Sequence, residues 1–249
     1  MYSLETRKLC KAFGALTVAD NIDFRLEPGA RHALIGPNGA GKTTFVNMLT
    51  GALAPSSGAI FLNGEEVSRA SQAARVKLGL GRTFQITTLF KTLPVLDNVA
   101  LSVAERTGVA RRMWRAASSH KEILDEARSL LDVLGLADDA ASAAQDLPYG
   151  KQRLLEIAVT LGLKPKVLLL DEPAAGVPSH DTQRILEQLA KLPGDIAILI
   201  IEHDMDLVFR FAQRITVLVQ GQVLVEGTPQ EIAADKRVRD VYLGEATHG

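Results

Sequence analysis

RHALIGPNGAGKT, residues Arg31–Thr43, joins a short apolar run to a glycine-rich octet that fits G-x-x-x-x-G-K-[ST]. The run Arg31–Ile35 has the character of a strand, and the residues after the octet, to about Leu53, read as a helix. The octet therefore lies between strand and helix, the setting in which such a sequence binds phosphate. Glycines at 36, 39 and 41 let the backbone curl until its N–H groups point inward. The helix N-terminus adds unsatisfied donors and the positive end of a dipole. The cradle comprises Gly36, Pro37, Asn38, Gly39, Ala40, Gly41, Lys42, Thr43 and Thr44. Lys42 would reach the β- and γ-phosphates of a nucleotide, and Thr43 would hold Mg²⁺. By chance alone the pattern should arise in about one chain in a hundred of this length, before its strand and helix are counted.

Outward from this loop, further apolar runs recur: Lys166–Leu170, Ile196–Ile201 and Ile215–Val219. They are continuous rather than alternating, as in parallel strands covered on both faces. A helical pattern over Asp181–Leu192 separates two of them, with Ile185, Leu186, Leu189 and Leu192 on one face. This alternation predicts an α/β fold with a mostly parallel sheet. The N-terminal stretch to Leu26 shows turns without a helix and predicts an antiparallel β patch. Between about Leu93 and Thr160 no central strand is legible. Val95–Arg106, Lys121–Leu134 and Lys151–Leu161 read as helices, the second closed by Gly135. The expected organisation is a nucleotide-binding core, residues 1–88 and 162–249, interrupted by a helical subdomain, residues 89–161.

Bulk properties narrow the class. The 249 residues are 47% hydrophobic and 23% charged with a net charge of -1, which gives no electrostatic footprint for nucleic acid. No apolar run approaches the ~20 residues that span a bilayer, and the N-terminus lacks a signal-peptide pattern. Cys10, the only cysteine, reads as a small packed side chain in an interior or cytosolic setting.

Other residues join the loop. KVLLLDEP, Lys166–Pro173, delivers Asp171 and Glu172 to the C-terminal end of a buried strand, where open α/β sheets bind ligands. Asp171 suits an indirect Mg²⁺ role and Glu172 the polarising of an attacking water. His203 follows the strand Ile196–Ile201 and could meet the γ-phosphate, although a lone histidine is more often packed or on the surface. Gln85, ending GLGRTFQ, is a neutral amide for Mg²⁺ or water, or simply a polar loop residue. Phe13 could stack on a base or serve as a core aromatic.

Together these residues resemble the ATPase subunits of ABC transporters, over essentially the whole chain. GPNGAGKT is similar to the Walker A motif, Gln85 to the Q-loop glutamine, and LPYGKQ (Leu147–Gln152) to the ABC signature. VLLLDEP is similar to Walker B with Glu172 catalytic, His203 to the H-loop histidine, and Phe13 to the A-loop aromatic. The resemblance implies a P-loop NTPase fold and catalytic roles for Lys42, Gln85, Glu172 and His203. It implies ATP as substrate, with Mg²⁺ held by Thr43, Gln85 and Asp171. It further implies a head-to-tail ATP sandwich with a second ATPase subunit, whose nucleotide would meet Gly150 and Lys151. The segment ITTLFKTLPV after Gln85 would receive a helix of an integral membrane permease subunit. GRTFQ, LPYG, DEPAAG, IEHDM and YLGE are similar to the subgroup serving branched-chain amino acid importers, with urea and amide importers sharing much of the pattern. Such systems imply a peripheral position on the cytoplasmic face of the inner membrane and a periplasmic binding protein.

Departures cluster in the parts that serve the opposite subunit. Pro148 stands for the usual Ser, Tyr149 for a Gly, Lys151 for a Gln, and Pro178 for the D-loop Asp. Pro148 has neither hydroxyl nor N–H to offer. Two readings stay open: an asymmetric heterodimer with one slow site, or a subgroup that tolerates the changes, with Lys151 still pairing with phosphate. RRMWR, Arg111–Arg115, reads as a solvated helix face. A soluble, non-transport ABC-type ATPase is the alternative, but those usually carry two such domains or a long coiled-coil insertion. A GTPase lacks support because no N-K-x-D string occurs, and a nucleotide-binding module without turnover would not need Lys42, Glu172 and His203.

Overall fold

The computed structural model describes residues 1–83, 89–108 and 118–245. Gln85 and the run Arg111–Arg115 lie outside the described residues. The chain clusters into two compact units. The first comprises Met1–Leu80, Lys166–Glu172 and Gly194–Gly249; the second comprises Gly81–Pro165 and Pro173–Pro193.

The elements in chain order are β1 (Leu4–Phe13), β2 (Leu16–Leu26), β3 (Arg31–Ile35), α1 (Lys42–Thr50), β4 (Ser57–Leu62), β5 (Glu65–Glu66), α2 (Gln72–Lys77) and β6 (Leu80–Thr83). They continue with α3 (Val95–Arg106), α4 (Ser118–Val133), α5 (Tyr149–Leu161), β7 (Val167–Asp171), α6 (Ser179–Ala190), β8 (Ala197–Ile201), α7 (Met205–Phe211), β9 (Arg214–Val219), β10 (Gln222–Gly227), α8 (Pro229–Ala234) and α9 (Lys236–Glu245).

In the first unit an antiparallel sheet of order β2-β1-β4-β5 faces a second sheet that runs β10-β9-β3-β8-β7. Strands β9, β3, β8 and β7 are parallel, and β10 returns antiparallel on β9. Every residue of β7 and β8 is buried, which explains why neither sequence alternates. The core between the sheets gathers Leu4, Phe24, Leu34, Leu169 and Leu199 with Phe45, Met48 and Leu49 of α1. Phe24 meets Phe45 edge to face at 5.7 Å. The hairpin partner β10 and the short elements β4, β5 and α2 carry no strong periodic signal, and sequence reading passes over them.

Helix α1 is shorter than its apolar pattern suggests. It stops at Thr50, where Gly51 adopts φ 80 and its N–H bonds Met48 O. The fully buried guanidinium of Arg75 then covers the helix end. Its Nη1 donates to Met48 O (2.6 Å) and Leu49 O (2.7 Å), its Nε to Ala70 O and its Nη2 to Ser68 O. A cation at a helix C-terminus satisfies carbonyls that have no intrahelical donor. Cys10 is only half-buried rather than packed; its Sγ accepts from the Asn21 N–H at 3.2 Å.

The second unit is built on α3, α4, α5 and α6. Val99 and Val103 of α3, Leu131 of α4, and Leu155 and Ala158 of α5 are fully buried. Gly135, at φ 67, ends α4 with paired bonds from Gly135 N to Asp132 O and Leu136 N to Leu131 O, a Schellman closure. Arg106 pairs with Glu126 at 2.7 Å, and Lys164 joins the same carboxylate at 3.3 Å. Among the described residues no helix is long and apolar enough to cross a membrane.

Candidate active site

Strand β3 ends at Ile35 and the chain turns sharply at Gly36. A side chain there would strike Leu218 O of β9, so the strand end can only pass as glycine. Gly41, at φ +98, precedes α1, and a Cβ on it would lie 2.6 Å from Val18 O of β2. The loop is braced from behind by the β9–β10 turn, where Gly221 N donates to Ala40 O (2.9 Å) and Gly221 O accepts from Asp20 N (2.8 Å). Helix α1 has no side-chain cap and no acidic residue in its first turn. Its first N–H groups are therefore left to an anion.

Lys42 Nζ donates to the carbonyls of Gly36 (2.6 Å) and Pro37 (2.9 Å), which folds the ammonium back over the loop that precedes α1. Thr43 beside it is exposed. Parallel pairing of β7 with β8 brings Asp171 opposite Ile201, and β8 in turn pairs with β3. The loop after β3, the carboxylates after β7 and the histidine after β8 thus share the C-terminal edge of one sheet, where ligands of open α/β sheets bind.

Asp171 is buried at the last position of β7. Glu172 follows with φ 48, an unusual conformation for a residue with a side chain, and its N–H bonds Ile201 O at 2.9 Å. His203 is 67% exposed and its Nδ1 stands 3.7 Å from Glu172 Oε1. Asp204 caps α7 by accepting from Asp206 N and Leu207 N, which fixes the chain immediately after the histidine. Sequence reading missed Glu202, a fully buried acid at the end of an apolar run. An acidic residue interrupting that run was the available signal. The exposed hydroxyl of Thr43 and the carboxylate of Asp171 are hard oxygen donors, a set that fits Mg²⁺ held together with nucleotide oxygens.

Phe13 is 51% exposed at the β1–β2 turn, with Lys11 Nζ 5.0 Å from its ring centroid. The core reading of this aromatic therefore fails, because its ring is left open to a ligand or to solvent.

In the second unit Pro148 immediately precedes α5, whose first turn has no side-chain cap. Tyr149 is exposed; its hydroxyl accepts from Arg153 Nη2 at 2.7 Å, and the same guanidinium lies 5.1 Å from its ring centroid. Arg153 also pairs with Glu156 at 2.8 Å, away from solvent. Lys151 Nζ is engaged by both carboxylate oxygens of Asp139, at 2.9 and 2.7 Å. Its charge is already matched within this unit, so a phosphate would have to compete with Asp139 for it. Gly150 beside it is buried.

A family profile described as ABC transporter matches residues 19–175. A second, described as branched-chain amino acid ATP-binding cassette transporter, matches residues 222–248. The chain is 38% identical over 250 residues to the high-affinity branched-chain amino acid transport ATP-binding protein LivG of Escherichia coli (strain K12), covering 98% of each. It is 36% identical to the protein BraF of the same description from Pseudomonas aeruginosa, again with 98% of each covered. Among solved structures, the ADP conformation of an ATP-binding cassette of an ABC transporter superposes with a TM-score of 0.85 at 28% identity, over 98% of this chain and 99% of that one. A nucleotide-free cassette gives 0.83 at 27% identity, over 97% and 99%. On its phosphate loop, its fold and its likeness along nearly the whole length to these proteins, the chain belongs to the ABC transporter family as an ATP-binding subunit.

Proposed function

We propose that this chain binds and hydrolyses ATP to power an importer of branched-chain amino acids. The observation that carries the reading is the convergence of the Gly36–Thr43 loop, Glu172 and His203 on one sheet edge. The named relatives are all transport proteins, so the soluble, non-transport alternative gains no support.

The loop N–H groups and the α1 terminus take the phosphates. Lys42 exchanges its bonds to Gly36 O and Pro37 O for β- and γ-phosphate oxygens, a short movement because its ammonium already lies over the loop. Thr43, Asp171 and Gln85 would hold Mg²⁺, which when bound would supply charge neutralisation to the phosphates. Glu172 accepts a proton from the attacking water, and His203 meets the γ-phosphate. Phe13 stacks on the base. A second ATPase chain contributes its signature to this nucleotide, while Gly150 and Lys151 here face the partner's. Permease subunits in the membrane hold the pair at the cytoplasmic face, and a periplasmic binding protein delivers the solute.

The test is steady-state ATPase activity and ATP affinity of the assembled complex. Glu172→Gln should lower kcat by about a hundredfold or more while ATP still binds, and Lys42→Ala should weaken ATP binding itself. Unchanged turnover in Glu172→Gln would refute the catalytic assignment.

A further inference from the structure

Glu202 is 1% exposed, at the end of the wholly apolar strand β8. A carboxylate is kept in such a place when its charge or its hydrogen bonds are used. Here it accepts from the backbone N–H of His203 at 3.2 Å, and its Oε2 lies 3.9 Å from His203 Nδ1. Glu172 Oε1 approaches the same ring nitrogen to 3.7 Å. The β7–β8 register explains the convergence. Asp171 is opposite Ile201, so Glu172 and Glu202 occupy matching positions just past the two strand ends. Nδ1 is thereby turned toward two carboxylates, and the ring's other nitrogen, Nε2, is left for an incoming ligand.

We propose that Glu202 is a positioning residue for hydrolysis, fixing the backbone and the ring orientation of His203 without touching nucleotide; this rests on the ATPase reading above. The reason lies in a conflict of tasks. Glu172 must turn toward the attacking water, and it cannot at that moment also hold an imidazole. His203 is exposed and has little packing of its own to keep it in place. Glu202, buried and on the strand that carries His203, maintains the ring while Glu172 works. A neutral side chain of the same shape preserves the backbone bond but loses the attraction for the ring.

The experiment measures ATP affinity and single-turnover hydrolysis of radiolabelled ATP by the assembled complex carrying this chain as wild type, Glu202→Gln, Glu202→Ala, His203→Ala and the double variant Glu202→Gln/His203→Ala. Glu202→Gln should bind ATP within about twofold of wild type and lose about tenfold in turnover, the scale typical of a carboxylate that orients a histidine. Glu202→Ala should lose more. In the His203→Ala background Glu202→Gln should change the residual rate by less than about twofold, because its effect passes through the histidine. Should the alanine variant fail to fold by circular dichroism, the isosteric glutamine variant carries the test. Wild-type turnover in Glu202→Gln, or an equal loss with and without His203, overturns the inference while leaving the ATPase reading intact. A wild-type complex that binds ATP but never hydrolyses it overturns both.

Discussion

Acid should destabilise this protein through one histidine near the start of β3, the strand that leads into the phosphate loop. His32 of β3 is 1% exposed. Its Nε2 lies 2.8 Å from Thr216 Oγ1, and the Thr216 hydroxyl donates to Glu226 Oε2 at 3.1 Å. Because that hydroxyl has one hydrogen and gives it to Glu226, it accepts from the ring, which places the histidine proton on Nε2. Burial pushes the His32 pKa down from 6.5 to about 4, with the Glu226 carboxylate pulling it partly back and Arg214 opposing. A depressed pKa means that the unfolded chain binds the proton first. The stabilisation from a neutral buried ring is complete above pH 6.5 and is lost as pH falls from there toward 4. Linkage between those two values gives a loss of about 3 kcal/mol at full protonation, most of it reached by pH 4.5. Urea titrations followed by far-UV circular dichroism from pH 7.5 to 4.5, at constant ionic strength, measure it. His32→Gln removes the titrating group and should flatten the difference, costing stability at pH 7.5 but little more at pH 4.5. If wild type and His32→Gln lose stability in parallel across that range, the buried-neutral account of His32 is wrong.

Three further outcomes follow from the geometry. Arg75→Ala uncaps α1, leaving Leu49 O without its donor and Met48 O with only the Gly51 N–H; a loss of about 3 kcal/mol is expected, read as a fall of about 10 °C in Tm. Gly41→Ala forces a Cβ against Val18 O at a φ of +98; it should cost about 1–3 kcal/mol and weaken ATP binding by tenfold or more in an equilibrium titration. The altered signature invites a comparison of Glu172→Gln in this chain with the equivalent change in a second ATPase subunit of the same reconstituted complex. With Lys151 paired to Asp139, the site formed on this chain's signature should be the slower one, so Glu172→Gln here should remove the larger share of activity, and equal residual ATPase from the two would end the asymmetry reading.

Features set by neighbours along the chain are legible from residue order. The continuous apolar runs of β3, β7, β8 and β9 point to strands covered on both faces, because each is too short for a buried helix and the runs alternate with helical patterns. The octet Gly36–Thr43 requires its backbone shape locally, and Gly135 closes α4 through bonds reaching five residues back. Helix α3 matches its periodic pattern from Val95 to Arg106 because both its start after Pro94 and its apolar face are local. The elements that escape such a reading, β4, β5, α2 and β10, are mostly half-buried or exposed, lack a strong periodic signal and draw their stability from partners distant in sequence.

The tertiary structure alone decided which of the singled-out residues meet. The spacing of Glu172 and His203 along the chain says nothing of the 3.7 Å between their side chains; strand register supplies it. Register also brings in Glu202, which looks from sequence like an ordinary strand end. Phe13 suits core or ligand equally by residue type, and the hairpin decides the matter by leaving it exposed. Lys151 suits phosphate by its charge, and the fold gives that charge to Asp139. The sequence by itself determined the phosphate loop, the α/β class and the chemistry present, because those depend on residue type and short-range periodicity. The folded chain decided exposure, pairing and convergence, because each of these depends on contacts between residues tens to hundreds of positions apart.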